Sequence, residues 1–441
     1  MTSPLSGTNR SVERRAVYER GLVGLFFLVL AAAGVLVYDE YGIAWDEPGI
    51  VEYGHLLLDH YAPGGEWESF INLRYYGPVG PVALALTDRL TEGPAFPPAH
   101  LANFAFFFAG AFAFYALCRF QFGSRMWGLL GAALLVLSPR VLSHGFVNPK
   151  DMPLMVMFVA AMYFLVRFLD SDRRRWIVLC GVATAFGMGV RITAAFLMAL
   201  AVGAVAMQAF ARRKKGGAPR AGVSAGIYVL VSTALTIAIW PWLWENPVTH
   251  FYEAAQLMSN FDEGPMTVLH FGKIVGIGEL PWDYLPVWIG ITTPPAFLLL
   301  IVAGLASIRW KRGLFAGGSR DRFLFLYLAW AFIPLIAIAV LRTPLYDEWR
   351  QAMFVYPPLL LFAVAGTRWI ARALARPALG RHLVAAGATV LAGILIWTFG
   401  TVVRFHPYQA AYLTSLRATV RRRTSTSTTG ASPTRRPASA C

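Results

Sequence analysis

Acidic side chains are concentrated in one short stretch, YDEYGIAWDEPGI, that follows a long uncharged segment. Four carboxylates stand there within nine positions, at Asp39, Glu40, Asp46 and Glu47. A carboxylate can accept a proton from a reacting hydroxyl, hold a cation or cap the N-terminus of a helix. Capping needs only one short polar residue, and the adjacent acids Asp46 and Glu47 exceed that need. This pair is therefore the first candidate for chemistry in the chain.

Two further polar stretches place basic side chains beside acidic ones. Lys150 and Asp151 are adjacent in SHGFVNPKDMP, and Arg350 lies in RTPLYDEWRQAMF. The first of these stretches also has a purely structural interpretation, in which Asn148 caps a helix and Asp151 complements the helix dipole. Both interpretations remain open on local grounds.

A helix is predicted directly after the acidic pair. Its apolar face consists of four residues at helical spacing, Ile50, Tyr53, Leu57 and Tyr61. Proline is favoured at the first position of a helix, so Pro48 leaves the N-cap role open to Asp46 or Glu47. We expect this helix to lie along the membrane surface, with its apolar face against the lipid headgroups.

The elements that position these residues are predicted to be transmembrane helices. The chain is 57% hydrophobic and only 14% charged, and apolar runs near the length that crosses about 30 Å of hydrocarbon recur along it. Backbone polar groups in lipid must be satisfied within each segment, so the runs predict an all-α polytopic membrane protein with about eleven transmembrane helices. The runs span about residues 21–38, 97–117, 126–142, 154–169, 176–190, 193–210, 222–243, 286–307, 323–341, 353–367 and 383–400.

The net charge of +15 is distributed unevenly between alternate loops. With the N-terminus in the cytoplasm, inner segments hold 24 Lys and Arg against 5 Asp and Glu, whereas outer loops before residue 405 hold 9 against 19. This asymmetry follows the positive-inside rule, and it predicts a multi-pass plasma-membrane protein whose acidic stretches face outward. The basic charge is thus a topology signal, and no nucleic-acid partner is expected.

Three parts are expected along the chain. Residues 1–20 form a cytoplasmic N-terminal segment, residues 21–404 form the transmembrane domain, and residues 405–441 form an outer C-terminal segment. Long ordered loops on one face of a membrane protein usually carry its function. The outer loops to which this applies are residues 39–96, 143–153, 244–285 and 342–354.

The tail, residues 414–441, differs in character from the rest of the chain. It is basic and of low complexity, which predicts disorder, and it places a triple arginine on the outer side against the charge rule. A change of reading frame is the other interpretation, because DNA that encodes STSTTGASPT can encode DLDYWGLPY in a neighbouring frame.

Several stretches, in order along the chain, resemble the GT-C superfamily of membrane glycosyltransferases, and most closely its bacterial relatives of protein O-mannosyltransferases and aminoarabinose transferases. They are the acidic pair, FVNPKDMPLMVMFVAAMYF, LPWDYLPVWIGITTPP, YDEWRQAMFVYPPLLLFAVAG and HPYQAAYL. The resemblance spans roughly residues 20–413. It implies transfer of a hexose or pentose from a polyprenyl-phosphate donor, presented by membrane lipid, to an extracytoplasmic acceptor that is a protein, a lipid or a cell-wall glycan.

The resemblance also implies roles for individual residues. Asp46 would be the base that takes the proton of the acceptor hydroxyl, and Glu47 would bind the acceptor or a divalent ion. Asp151 would be a second acid of the site or a partner that fixes the lysine beside it. A departing phosphate needs cations rather than a general acid. The candidates to hold it are Lys150, Arg350, Arg74 and Arg191.

A metal site is a weaker interpretation. His55, His60 and His144 lie in outer loops with several carboxylates, a mixture that can ligate a divalent metal ion. Their spacing matches no tight ligand motif, so we expect hydrogen-bonded or exposed histidines rather than ligands. The three cysteines give neither a disulfide framework nor metal-like spacing.

Two other classes of function compete with the transferase. A transporter or lipid flippase would place ionisable residues inside the helix bundle near the bilayer midplane. Here nearly every charge lies outside the apolar runs, with Arg191 the ambiguous case. A non-catalytic scaffold would leave the ordered motifs unexplained. An outer cavity lined by Asp46, Lys150 and Arg350 would favour the enzyme, and a polar path across the midplane would favour transport.

Overall fold

Helices account for nearly all of the regular structure in the computed structural model of the chain. It describes residues 5–62, 73–91, 96–213, 221–259, 266–310, 315, 319–376 and 381–414. The α-helices are α1 Leu5–Val37, α2 Glu47–Tyr61, α3 Val79–Leu90, α4 Phe96–Phe122, α5 Arg125–Val136, α6 Pro139–Val147, α7 Asp151–Ser171, α8 Arg174–Met188, α9 Ala195–Arg213, α10 Ala221–Ile239, α11 Pro247–Ser259, α12 Tyr284–Thr292, α13 Pro295–Ser307, α14 Leu324–Leu341, α15 Tyr356–Leu374 and α16 Arg381–Arg404.

Short elements connect these helices. Strands β1 Thr267–His270 and β2 Lys273–Gly276 form one antiparallel hairpin, in which Thr267 pairs with Gly276. The 3-10 helices are Tyr38–Glu40, Leu73–Tyr75, Ile192–Ala194, Pro241–Leu243, Ile277–Glu279, Ile308–Trp310, Ser319–Phe323, Arg350–Val355 and Gln409–Ala411. The hairpin and α11 therefore give regular structure to the long segment predicted as an outer loop at residues 244–285.

Eight helical segments within the described residues are long and apolar enough to cross a membrane, and the bent pair α5 and α6 makes a ninth if it crosses as one unit. The two remaining predicted runs contain α8, with 15 residues, and α13, with 13 residues. The prediction of an all-α polytopic membrane protein is confirmed. The predicted number of eleven spans is not confirmed, because these two helices are short for a full crossing.

Two of the predicted runs are broken rather than continuous. The run 126–142 bends by 72° between α5 and α6, where Pro139 begins the second helix. The run 286–307 is interrupted between α12 and α13 at Pro294 and Pro295. Proline disfavours the helical conformation of the residue before it. Apolar composition alone hides such breaks, because a proline interrupts a helix without adding a charge.

Helix α2 is the helix predicted after the acidic pair, but its apolar face is buried inside the protein. Ile50, Tyr53 and Leu57 are at most 2% exposed, because α2 packs against α3. The two backbones approach closely at Gly54, where a Cβ would lie 2.1 Å from the carbonyl oxygen of Pro81. Tyr61, the fourth residue of the predicted face, is 37% exposed. The expectation that the face rests on lipid headgroups is therefore wrong for Ile50, Tyr53 and Leu57, since α3 supplies a nearer apolar surface.

The segment HPYQAAYL lies against the chain that leaves α1. His406 Nε2 is 2.6 Å from Glu40 Oε2, and the ring of Tyr41 stacks on Phe146 of α6 with centroids 4.2 Å apart. The end of the described chain thus contacts the segment that leads to Asp46. Residues 415–441 lie outside the described residues, so both interpretations of the predicted tail stay open.

The core is built around α7 and α15, which are buried along most of their length. Helix α13 packs closely on α15 through two glycines. A Cβ on Gly304 would lie 1.9 Å from the carbonyl oxygen of Phe362, and one on Gly366 would lie 2.1 Å from that of Leu300. Small residues allow such close packing in membranes, where dispersion forces and hydrogen bonds drive helix association. This contact fixes α15, which follows directly on the short helix that begins at Arg350.

Replacing Gly366 by alanine should destabilise the fold by about 1–3 kcal/mol, because backbone atoms of α13 would have to move to admit the methyl group. Thermal unfolding of the detergent-solubilised protein measures the effect. Gly393→Ala in α16 is the matched control, since no atom lies within 4 Å of the Cβ that it adds. Equal unfolding temperatures for the two variants would contradict the role of this helix contact.

Candidate active site

Asp46 stands immediately before α2, and its carboxylate contacts two cations. Its Oδ2 lies 2.7 Å from Lys150 Nζ and 3.0 Å from Arg350 Nη1. The side chain makes no capping hydrogen bond, although Asp46 occupies the N-cap position of α2. Helix capping therefore does not account for Asp46. The structure brings together residues from three separate predicted outer loops.

Glu47, the second acid of the pair, has a different environment. Its side chain is fully buried, and Oε2 accepts a hydrogen bond of 2.7 Å from the backbone N–H of Ala44. The same oxygen lies 3.2 Å from Nε2 of His100, on α4. Glu47 therefore ties the start of α2 to α4, whereas Asp46 contacts the cations.

The turn before α7 presents Lys150 and Asp151 from a fixed backbone. Oδ1 of Asn148 accepts hydrogen bonds from the backbone N–H groups of Lys150, at 3.2 Å, and Asp151, at 2.8 Å. Asn148 Nδ2 also donates to Asp151 Oδ2 at 3.0 Å. Asn148 therefore accepts backbone N–H groups at the start of α7, although the N-cap position of this helix is Lys150, and this role coexists with the charged contacts. Gly80 of α3 packs directly on the turn, since a Cβ there would lie 2.0 Å from the carbonyl oxygen of Pro149.

Asp151 is buried and pairs with two arginines. Arg191 Nη2 lies 3.1 Å from its Oδ1, and Arg350 Nη1 lies 3.8 Å from its Oδ2. Arg350 is thus shared between Asp46 and Asp151. We call the five residues Asp46, Lys150, Asp151, Arg191 and Arg350 the ion cluster.

A strained turn delivers Arg350 to the ion cluster. Asp347 and Glu348 have φ angles of 53° and 69°, in the left-handed region that costs non-glycine residues about 1–3 kcal/mol each. Ion pairs hold both residues in place: Asp347 Oδ2 lies 2.9 Å from Arg350 Nη2, and Glu348 pairs with Arg140 of α6. Such strain persists only where the surroundings fix the backbone, and it is concentrated at functional sites.

Two tyrosine rings border the cations. The ring centroid of Tyr76 lies 5.1 Å from Lys150 Nζ and 5.6 Å from Arg191 Cζ, and the centroid of Tyr346 lies 5.2 Å from Arg350 Cζ. Aromatic faces attract cations through the ring quadrupole. Burial raises the pKa of Tyr346 above its ordinary value, so the phenol stays neutral beside the arginine at neutral pH.

The three cations of the ion cluster contact three carboxylates, because Asp347 pairs with Arg350 in addition to Asp46 and Asp151. Lys150, Arg191 and Arg350 are each less than 10% exposed. Nε of Arg191 and Nε of Arg350 are buried without a hydrogen-bond acceptor among the described residues. A buried donor without an acceptor is costly. The cluster is therefore suited to receive an anion that brings oxygen acceptors.

The pKa of Asp46 is set by its two cationic neighbours. Burial opposes ionisation of the carboxyl group, but Lys150 and Arg350 together outweigh burial and lower the pKa to about 2. Burial also lowers the pKa of Lys150, against the attraction of Asp46. Asp46 is therefore ionised at neutral pH, and it is a weak base for as long as both cations contact it.

Comparison with known families and structures places this arrangement in a wider group. Residues 76–244 match the family model described as dolichyl-phosphate-mannose-protein mannosyltransferase. This range is less than half of the 441 residues; it includes Lys150, Asp151 and Arg191 but neither Asp46 nor Arg350. Comparison with curated proteins gave no match.

Solved structures with the same architecture include two membrane proteins. ArnT from Cupriavidus metallidurans in the apo state aligns with a TM-score of 0.55 and 12% identity, over 89% of this chain and 74% of that chain. The oligosaccharyltransferase of Archaeoglobus fulgidus in the apo form aligns with a TM-score of 0.53 and 13% identity, over 88% of this chain and 56% of that chain. The chain has the GT-C membrane glycosyltransferase fold. The predicted resemblance is confirmed, and the chain is a multi-pass membrane protein that spans little more than half the length of the oligosaccharyltransferase.

The described contacts of Arg74 lie outside the ion cluster. Its guanidinium Cζ lies 4.4 Å from the ring centroid of Trp242, and Nη2 donates to the hydroxyl of Tyr75 at 3.0 Å. These contacts hold the segment before α3 against the segment after α10. Of the four candidates for the phosphate, Lys150, Arg191 and Arg350 meet one another and Arg74 does not.

The candidate histidines do not converge on one point. His55 Nε2 lies 2.7 Å from Asp88 Oδ2 of α3, whereas His144 is hydrogen-bonded to Asn148, with its Nδ1 3.2 Å from Nδ2. Within the described ranges, no group of three or more His, Cys, Asp and Glu side chains has the geometry to hold a metal ion. His144 borders the ion cluster through Asn148, and His55 belongs to the contact between α2 and α3.

Several residues of the site were not candidates from the sequence. They are Tyr76, His100, Arg140, Tyr346 and Asp347. For Arg140 and His100 a signal existed, because each interrupts an apolar run, and ionisable residues in such runs are costly and therefore informative. For the tyrosines no signal existed, since aromatic residues are frequent throughout this chain.

The stability contribution of the Asp46 ion pairs should depend on pH in one direction. The pKa of Asp46 is lowered on folding, so the pairs stabilise the protein above about pH 4, and this contribution is lost as the pH falls towards 2. Asp46→Asn should therefore lower the unfolding temperature equally at pH 7 and pH 5 and have a smaller effect below pH 4. Thermal unfolding in detergent measures the difference.

A surface pair provides the control for this measurement. Asp59→Asn removes an ion pair with Arg89, in which both side chains are largely exposed, and exposed pairs contribute little. Its unfolding temperature should differ little from that of the parent at pH 7. An Asp46→Asn effect that disappears already between pH 7 and pH 5 would contradict the lowered pKa.

Proposed function

We propose that this protein transfers a sugar from a polyprenyl-phosphate donor to an acceptor hydroxyl outside the cytoplasm. The observation that carries the proposal is the contact of Asp46 with Lys150 and Arg350, because it unites a base with the cations that a departing phosphate needs. Asp46 and the three cations of the ion cluster lie in loops that the charge asymmetry assigns to the same face of the membrane. The family description, which names a mannose carried on dolichyl phosphate, supports a lipid-phosphate donor.

The reaction is a substitution at the anomeric carbon of the donor. The bond from this carbon to the phosphate oxygen breaks, and its electron pair leaves with the phosphate. A bond forms between the same carbon and the acceptor oxygen, whose proton passes to the carboxylate of Asp46. Lys150, Arg191 and Arg350 hold the charge that develops on the phosphate. Atoms and charge balance without a further reactant.

Donor binding has a consequence for the base. In the ion cluster Lys150 and Arg350 are occupied by Asp46, so a phosphate that binds these cations competes with the carboxylate. The phosphate neutralises the two groups that lower the pKa of Asp46. The pKa of Asp46 should therefore rise in the donor complex, and the carboxylate becomes a stronger base only when the leaving group is in place.

We further propose an orientation in which the ion cluster faces outward. The support is the charge asymmetry of the loops, since the positive-inside rule retains Lys and Arg on the cytoplasmic side. An extracytoplasmic site at the membrane surface is also where a polyprenyl carrier presents its phosphate. Donor sugar and acceptor are properties of pocket residues that this reasoning does not rank, and protein, lipid and glycan acceptors all provide a hydroxyl group.

Transport is the competing function, and no described feature favours it. The buried Asp, Glu, Lys and Arg side chains of the described residues are Glu47, Arg140, Lys150, Asp151, Arg191 and Arg350. Each lies at a helix end or in a connection, and four of them belong to the ion cluster. A transporter is expected to carry such groups near the bilayer midplane. The location of these charged residues at helix ends and in connections therefore supports an enzyme over a transporter.

Asp46→Asn should lower the rate of sugar transfer by about 10²–10⁴, because the amide cannot accept the proton of the acceptor. Donor binding should be unchanged or tighter, because asparagine competes less with the phosphate for Lys150 and Arg350. Incubation of the purified protein with a panel of polyprenyl-phosphate sugars, followed by release of free carrier phosphate, measures the rate. Lys150→Ala is the contrasting variant, and it should weaken donor binding as well. A rate for Asp46→Asn within about tenfold of the parent would remove Asp46 from the mechanism.

The pH dependence should distinguish the free enzyme from the donor complex. The profile of kcat/KM for the donor reports the free enzyme, and that of kcat reports the complex. We expect the acid limb of kcat at a higher pH than that of kcat/KM, near or above the ordinary carboxyl pKa of about 4. Steady-state rates between pH 4 and pH 8 test this: kcat should fall towards the acid end of the range while kcat/KM stays flat. A kcat that stays as flat as kcat/KM down to pH 4 would contradict the competition between phosphate and Asp46.

A further inference from the structure

A buried polar pair lies directly beneath Asp46. Glu47 and His100 are each at most 1% exposed. His100 Nε2 lies 3.2 Å from Glu47 Oε2, and its Nδ1 lies 3.1 Å from the backbone carbonyl oxygen of Tyr38. Both ring nitrogens therefore face oxygen acceptors. The pair connects the end of α1, the start of α2 and the first turns of α4.

One imidazole ring thus faces two oxygen atoms. A neutral imidazole has one N–H donor and one nitrogen acceptor. If Nδ1 donates to Tyr38, then Nε2 of neutral histidine would face the carboxylate of Glu47 with no hydrogen between them. A neutral ring can donate to one of the two oxygens, and a ring with a hydrogen on each nitrogen can donate to both. These contacts satisfy Oε2 of Glu47, whereas Oε1 is buried without a hydrogen-bond partner among the described residues. Burial of a carboxylate without partners is costly, so the contacts of Oε2 hold the side chain in place.

The pair fixes the backbone that carries Asp46. Glu47 Oε2 accepts the N–H of Ala44 at 2.7 Å, and the backbone N–H of Glu47 donates to the carbonyl oxygen of Ala44 at 3.0 Å. These reciprocal bonds form half of a capping box and close a turn around Trp45 and Asp46. The outer side of the turn is bare, because Trp45 is 97% exposed. The attachment through Glu47 to His100 therefore holds the turn from within.

We propose that His100 and Glu47 are positioning residues for Asp46. They act through the backbone turn and do not touch the ion cluster in the described contacts. The proposal rests on the proposed function for its kinetic consequence, and it assigns the second acid of the pair to positioning rather than to the acceptor or a metal ion. A base displaced by about 1 Å loses on the order of 10²-fold in rate. In this proposal the position of Asp46 depends on His100 and Glu47, which do not contact the substrate.

His100→Ala should lower kcat by about 10–100-fold and change the affinity for the donor less than about threefold, because the phosphate binds cations that His100 does not contact. Asn103→Ala is the matched control. Asn103 lies one helical turn later on α4, is equally buried, and has no hydrogen-bond partner among the described residues. Its kcat should stay within about twofold of the parent. An unchanged kcat in His100→Ala, per molecule competent to bind donor, would overturn the proposal.

Glu47→Gln separates positioning from chemistry. The glutamine oxygen can take the position of Oε2 and accept the N–H of Ala44. Its amide nitrogen then takes the position of Oε1, 3.2 Å from His100 Nε2, and donates to the neutral ring. This variant should keep kcat within about fivefold of the parent, whereas Glu47→Ala should resemble His100→Ala. If Glu47 took the acceptor proton or held a metal ion, Glu47→Gln would lose as much activity as Asp46→Asn. That outcome would refute the positioning role.

A double-mutant cycle tests whether His100 acts through Asp46. In the Asp46→Asn background, His100→Ala should cause no further loss of kcat, since the base that it positions is already absent. A full additional loss would contradict the proposal. The same cycle measured by thermal unfolding should also be non-additive, because the contacts of Asp46 with its cations depend on the turn. This second measurement needs no substrate, so it still tests the positioning if the protein transfers no sugar.

Discussion

A buried charge must meet a partner, and this requirement organises the structure around Asp46. Removing a carboxylate or an ammonium group from water costs several kcal/mol even after the protein relaxes. Lys150 and Arg350 are buried and Asp46 is partly buried, so these charges are tolerated there because they pair with one another. The turn before α7, the strained turn at Asp347 and the close contact at Gly80 are the means by which three distant loops reach one point. The helices hold these charged groups close together. In the proposed function, the phosphate of the carrier would become a further partner of the cations.

Two neighbouring acids in one sequence motif have separated roles because successive residues at a helix start project differently. Asp46 is the last residue before α2 and reaches the cations, while Glu47 begins the helix and reaches inward to α4. In the proposed function, such an acidic pair combines a reactive carboxylate with a second acid that supports it. The inner acid stabilises the turn at a place where a solvent-exposed tryptophan offers no packing. Asp46 and Glu47 are thus adjacent for a structural reason as much as for a chemical one.

The sequence predicted the class of fold and the members of the site better than it predicted packing. Lys150, Asp151 and Arg350 were recognised because charged residues beside apolar runs are scarce, and that scarcity reflects the cost of burying charge. The breaks at Pro139 and Pro294 were hidden within apolar composition. The sequence identified the apolar face of α2 but not α3, the helix that covers it. A hydrophobic stripe predicts that a face is buried without indicating which element packs on it. His100 needed the fold, since only tertiary contact brings α4 beneath the acidic pair.

The ion cluster is assembled from the beginning and the end of the chain, and this sets an order on its formation. Arg350 follows Asp46 by 304 residues, which at ordinary rates of synthesis corresponds to about 15–60 s. During that interval Asp46 and Lys150 can pair as soon as α7 has inserted, while Asp151 awaits Arg191 and then Arg350. The last cation arrives on a turn in which Glu348 pairs with Arg140, made earlier, while Asp347 pairs with Arg350 itself. The ion cluster is therefore completed late in membrane insertion. In a nascent chain that ends before Arg350, Asp46 and Asp151 have only some of the cations that pair with them in the complete fold.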